Sequence, residues 1–247
     1  MATKTALAIV RSVAPRLGIA TPNTATGSTD VQVQQLLALV NEEGQELAAR
    51  FDWQELTHEV TFPASGIQTQ GSISELIADN YNGTVAFRKI LNDTIWNITK
   101  RVRICGPMSA ADHSLATAAA TAVGPWSDYR IRGGALLLYP PATALDSLRF
   151  EFLAESWVMN AAGDTYKSAF SADDDTSILD SRLIELGTIW RWKAAKGLDY
   201  AQNYQNYENA VLDAMAGNKT TGPVEMSSCP ETKGYPFAVI PRSDWLQ

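Results

Sequence analysis

The chain has 247 residues, 45% of them hydrophobic, with a formal net charge of −7 and two cysteines. Its length suffices for one large domain or two small ones, and no run of eighteen apolar residues offers a membrane-spanning helix. The acidic balance excludes a protein that grips nucleic acid over its whole surface, and two cysteines 124 positions apart make no disulfide framework.

Residues 1–29 carry Lys4, Arg11 and Arg16 and no acid. This basic start reads as a short first helix, Thr5 to Val13, ended by Pro15 and Gly18, in preference to a targeting segment. A Thr/Asn/Gly-rich linker, Ala20 to Thr29, leads to a second helix capped by Asp30 or Thr29. There Val33, Leu36, Val40, Gly44, Leu47 and Phe51 keep steps of three and four.

The period then changes from 3.6 to 2. Trp53 to Phe62 places Leu56, Val60 and Phe62 on one side. Thr94 to Cys105 alternates Trp96, Ile98, Val102 and Ile104 with Asn97, Thr99, Arg101 and Arg103. Tyr129 to Tyr139 and Leu148 to Trp157 follow, read as strands joined by a Pro140-Pro141 turn, with Gly133-Gly134 as a turn or bulge. Together these predict an antiparallel sheet with one wet face. Residues 63–93 and 106–128 show no clear period apart from an alanine-rich helix at Ser114 to Val123.

Leu179 to Ala216 is the dominant signal. Small or apolar residues at 179, 183, 186, 190, 194, 197, 201, 204, 207, 211 and 215 draw one stripe along a 3.6-residue helix. Asp173 to Ser177 supplies caps and negative charge at its start; Gly217 and Pro223 stop it. Such a helix would be about 57 Å long, against roughly 45 Å for the diameter of a compact globule of this size. Gly44, and the small residues Ala194, Gly197 and Ala201, predict that the second and last helices cross there. After Gly217 the chain has four prolines and no sustained period. The fold class expected is α+β: long antiparallel helices forming a helical body (1–52 and 173–218), an inserted antiparallel β-sheet domain (53–172) and an extended C-terminal tail (219–247).

The search for chemistry is empty. His58 and His113 stand at no metal-ligand spacing. Asp173-x-Asp175-x-Ser177 opens like a calcium loop, but Ile178 replaces its glycine and Ile184 its glutamate. Gly133-Gly134 lacks the dinucleotide fingerprint, and no Gly-x-Ser-x-Gly is present. The expectation is no enzyme, no metal and no cofactor. Trp190 and Tyr204 on the stripe read as core or subunit-interface aromatics; Lys100, Arg101 and Arg103 form the one basic cluster.

The helix pair at 31–51 and 179–216, the strand at Trp53–Phe62 directly after the first of them, and the YPPATALDSLRFEFLAESWV segment at 139–158 resemble the head-to-tail adaptor, or connector, proteins of tailed bacteriophages, the group that includes tail tubular protein A. The resemblance covers roughly residues 30–218. It implies a virion protein of the neck, assembled in the host cytoplasm as a ring, usually of twelve copies, beneath the portal protein. A downstream tail or nozzle protein would be the other neighbour, with no membrane involved. Helices would build the wall, and genomic DNA would pass the lumen without sequence recognition. The acidic balance suits that, since like charges repel within a Debye length of about 8 Å. The resemblance also implies a C-terminal extension that reaches the portal, for which Tyr235, Phe237, Ile240 and Trp245 are the candidates. The competing expectations are a carbohydrate- or receptor-binding virion module, suggested by seven Trp and eight Tyr, and an enzyme with a dispersed site.

Overall fold

A computed structural model describes residues 3–119 and 127–218. The chain is α+β, with six α-helices and three antiparallel sheets among the described residues. None of these helices is long and apolar enough to cross a membrane.

Helix α1, Ala6–Val13, starts where Thr5 caps it by accepting the Ala8 amide at 3.3 Å. A 3₁₀ turn through Pro15 and a left-handed Gly18 end it. Helix α2, Val31–Arg50, is capped by the Asp30 carboxylate, which accepts from Gln32. Its stripe of Val33, Leu36, Val40 and Leu47 is buried. Both helices follow the pattern of their residues.

The last stripe is not one helix. It is α5, Ser181–Ala195, and α6, Ala201–Asn218, joined at an elbow. At the elbow Gly197 takes φ +68°; the Leu198 amide bonds the Lys193 carbonyl at 2.9 Å and the Gly197 amide bonds the Ala194 carbonyl at 3.1 Å. This is the Schellman pattern, in which a left-handed glycine lets the chain satisfy the carbonyls of an ending helix. Asp199 then restarts the chain by accepting the Ala201 amide. Bending there removes the length that one globule could not cover. The cap of α5 is Asp180, through the Arg182 amide, and not the acidic run at 173–177. Asp173 instead accepts the amides of Ala25 and Thr26, and Asp175 holds Lys167 and the 171–172 backbone. Those acids fasten loops.

Helix α5 is the axis of the helical region. It packs against α1, α2 and α6, and its buried residues, including Leu183, Ile184, Gly187, Ile189 and Trp192, face all round it. It runs antiparallel to α2, since Lys196 reaches Gln35 while Arg191 reaches Glu42 and Glu43.

The largest sheet centres on β8, Ser147–Ala154, which pairs on one side with β1, Thr57–Pro63. On its other side it pairs with β3, Phe87–Ile90, and β4, Trp96–Asn97, the latter pairing with β5, Val102–Arg103. Val60, Phe62, Leu148, Phe150 and Phe152 are buried in this sheet's core, whereas Leu153, Trp157 and Val158 belong to the helical core. Strand β8 therefore joins two cores. A second sheet orders β2, Thr69–Ser72, then β7, Ala135–Tyr139, then β6, Asp128–Arg132. A third is made of short strands, β9 at Val158–Met159 between β10 at Tyr166–Lys167 and β11 at Thr176–Ser177.

Several strand readings are corrected. Residues 94–105 form a tight hairpin, with Arg101 left-handed at φ +57°, and the expected faces are exchanged at its first arm, where Asn97 is buried and Ile98 exposed, while Ile104 is buried and Thr99 and Arg101 are exposed as the alternation predicts. Asn97 is drawn in because its amide donates to the buried Asp146 at 2.8 Å. Residues 139–158 are not a hairpin, for β7 and β8 lie in different sheets. Gly133-Gly134 is the turn of the β6–β7 hairpin. Helix α3, Ile73–Tyr81, occupies a stretch without visible period; α4, Ala110–Ala119, starts four residues before the alanine-rich helix expected at Ser114.

Candidate functional site

At the elbow, apolar and aromatic side chains gather at the surface. Because α5 and α6 meet at an angle fixed by Gly197 and Asp199, the side chains of Trp190, Leu198, Tyr200, Ala201 and Tyr204 line one open groove of about 810 Å³. Leu198 is 55% exposed, and Tyr200 and Tyr204 are each 43% exposed. Trp190, half-buried, forms the floor: its ring meets Tyr204 edge-on at 5.2 Å and lies 6.3 Å from Tyr200. Helix α6 as a whole is lightly covered, with only Tyr207, Val211 and Asn218 buried along its eighteen residues. Contiguous apolar surface of this kind marks an interaction site more often than an isolated exposed leucine does.

Beneath the groove lies a buried polar cluster. Glu43 of α2 is fully buried and takes a 2.6 Å bond from Arg191 Nε; Arg191 also bonds the exposed Glu42 at 2.6 Å and stacks 4.9 Å from the Trp190 ring centroid. Burial pushes the Glu43 carboxyl upward, and its contact with Arg191 draws it back only in part. The Tyr207 hydroxyl faces this carboxylate, and burial, then the Glu43 charge, raises its pKa strongly. Neither Glu43 Oε1 nor Tyr207 Oη reaches a partner at full hydrogen-bonding geometry, and the Trp190 indole nitrogen is likewise unpaired. Arg50 and Glu208 form a two-pronged ion pair over the same seam; the bond to Arg50 holds the Glu208 carboxyl below its ordinary range.

This geometry relocates the helix crossing. Gly197 has nothing within 4 Å of where a Cβ would stand, so no helix packs on it. Gly44 instead makes room for the Trp157 ring, 2.2 Å from that point, and Gly187 for the Glu43 carboxylate, 2.1 Å away. Ala194 is half-buried on α5; Ala201 is exposed in the groove. Trp190, Ala201 and Tyr204 come together at the groove, while Gly44 lies at the α2–Trp157 contact.

The basic cluster does not converge on one ligand. Lys100 pairs with Asp146 at 3.1 Å, Arg103 with Asp93 at 3.3 Å, and Arg101 stands exposed at the hairpin tip. Arg101 and Arg149 do flank a shallow groove with Trp96 and Ile98, but Arg149 is shared with Glu59 at 3.4 Å. No group of three His, Cys, Asp or Glu side chains able to hold a metal occurs among the described residues. His58 packs edge-on to Tyr81 and Tyr166, with burial lowering its pKa, and His113 is buried against Gln68. Tyr235, Phe237, Ile240 and Trp245 lie outside the described residues.

The chain matches no protein-family model and no curated protein. Its site has to be read from its own residues.

Sequence reasoning missed Glu43, Gly187, Arg191 and Leu198, and placed Tyr207 on the stripe without a role. Signals existed for two of them. Glu43 sits between Val40 and Leu47 at helical spacing, an acid inside an apolar stripe. Gly197-Leu198-Asp199 is a helix stop followed at once by a helix cap. The stripe that runs on through the elbow masked it.

Proposed function

We propose that the chain is a structural adaptor: one subunit of a homo-oligomeric ring, of twelve copies by its resemblance, joining a phage portal to the tail in the virion neck. In this reading residues 1–52 and 173–218 form the helical wall, 53–172 the β-rich insertion and 219–247 the tail that reaches the portal. The observation that carries it is the elbow groove. A ring closes through heterologous contacts, so each subunit must offer two unlike surfaces. The exposed aromatic groove and the lightly covered α6 supply one such surface on a chain whose described residues hold no metal-binding group. The net charge of −7 suits a lumen that DNA crosses without adhering. The other neighbours would be the portal, a downstream tail or nozzle protein, and the passing DNA. Electron microscopy of the protein mixed with its cognate portal tests this. A ring of defined symmetry with α6 buried between neighbours is the expected result; a chain that stays monomeric on that portal sinks the proposal.

A further inference from the structure

The elbow groove has a counterpart of opposite charge on the largest sheet. Among the described residues that line the groove are two acids, Asp199 and Glu208, and no basic residue. Glu208 is matched by Arg50, whereas Asp199 is exposed and in no ion pair among the described residues. The surface of Trp96, Ile98, Arg101 and Arg149 reverses this, with two basic residues and no acid. Arg149 is shared with Glu59 at 3.4 Å, whereas Arg101 is exposed and in no ion pair among the described residues. Each surface thus joins exposed apolar side chains to one uncompensated charge, and the two signs are opposite.

The basic surface is a fixed tip. Residues 98–101 form the turn between β4 and β5, whose register pairs Trp96 with Arg103 and Asn97 with Val102. Strand β4 lies on β8 at Leu148 and Arg149, the end opposite Leu153, which belongs to the helical core. The Ile98 amide bonds the Ser147 carbonyl at 2.8 Å, and the Ser147 amide bonds the Thr99 hydroxyl at 2.9 Å. Leu145, in the adjoining loop, is 83% exposed and adds a second apolar side chain beside Ile98. These bonds hold the tip on its own sheet, and it lines no part of its own elbow groove. A tip so held can fill such a groove only in another molecule.

We infer that the Ile98–Arg101 tip of one copy docks in the elbow groove of a second copy of this chain, with Ile98 on Trp190, Leu198 and Tyr204 and Arg101 beside Asp199. The inference rests on the ring reading and names the second of the two unlike surfaces that a ring requires. Because tip and groove differ, a joined pair still has one free tip and one free groove, so copies add head to tail until the circle closes. The opposite charges steer the encounter and fix its register.

Disulfide trapping between full-length chains tests it, with Cys105→Ser and Cys229→Ser removing the native thiols. Purified Ile98→Cys protein is mixed with Leu198→Cys protein and, in parallel, with Asn206→Cys protein, Asn206 being exposed on α6 outside the groove. The expected result is a bond between the unlike chains, at least about tenfold faster for the Leu198 position, as effective concentration differs between the two sites. Arg101→Glu in the tip chain should slow that bond by at least about tenfold. Gln205 is exposed in the groove, so Gln205→Lys in the groove chain should slow the unaltered tip and restore the rate of the Arg101→Glu tip. Damage to either fold gives no such rescue. Equal rates at the two positions, faster bonding of Ile98→Cys to itself, or no rescue would each overturn the inference. Electron microscopy on the portal is read separately. Rings that form without this bond overturn the inference and leave the ring standing on another contact, whereas the bond without rings sinks the ring and keeps the contact.

Discussion

Gly44 carries structural weight in the helical core because it has no side chain. A Cβ at Gly44 would fall 2.2 Å from the Trp157 ring, which is fully buried and held by its indole N–H to the Ser168 carbonyl at 2.7 Å. The ring has nowhere to go. Gly44→Ala should therefore cost about 1–3 kcal/mol, the usual range for overpacking a core, visible as a lowered denaturant midpoint. An unchanged midpoint would show that α2 can slide off Trp157. Next to it, Glu43 gives the fold a pH dependence of unusual sign for a carboxylate. Burial holds its folded-state pKa above the ordinary 4.5, so the folded chain binds this proton more tightly than the unfolded one. Its contribution is complete below pH 4.5 and is lost as pH rises through the folded value. Glu43→Gln should flatten that loss of stability in urea midpoints measured from acid to neutral pH. A slope identical to the wild type would mean that Arg191 keeps the carboxylate ionised throughout.

At the level of elements, the fold is legible where one signal acts alone. Thr5, Asp30 and Gly18 punctuate α1 and α2 at the positions their chemistry predicts, because caps act within one turn. The elbow was hidden because a helical stripe continues in register across it, from Trp190 to Tyr204, although the backbone turns at Gly197. The β region was hardest. Strands β7 and β8 look like one hairpin through Pro140-Pro141, yet β8 takes its partners from Thr57–Pro63 and from 87–97, and no local pattern encodes a pairing across ninety residues. The groove was half legible. Its aromatics were visible on the stripe, while the exposure of Leu198 and Tyr200 follows from the bend. Gly197→Ala puts this to a measurement. With open space around the Cβ but φ at +68°, it should cost about 1–2 kcal/mol through backbone strain alone and raise amide exchange locally around Lys193 to Tyr200. Protection lost along all of α5 would instead mark the elbow as part of the core.

For the molecule as a whole, the ring proposal turns on a surface whose removal should leave the monomer intact. Leu198 and Tyr204 project into solvent, so Leu198→Asp with Tyr204→Asp should shift the thermal midpoint little and keep the circular dichroism spectrum. The same pair should weaken assembly on the portal by at least about tenfold, as expected when apolar anchors at the centre of an interface become charged. Analytical ultracentrifugation with the portal reads both properties in one sample. Unaltered ring formation would place the subunit contact elsewhere.

The bond between Glu43 and Arg191 spans 148 positions of sequence. During synthesis at about 5–20 residues per second, α2 emerges roughly 7 to 30 s before the helix that covers it. Through that interval Val33, Leu36, Val40 and Leu47 stay without the surface that later buries them. Strand β8 imposes a similar wait on β1, for Thr57–Pro63 finds its partner only at Ser147–Leu153. Native topology here is thus completed late in translation, and newly made chains pass through a stage in which half of each core is present without the other.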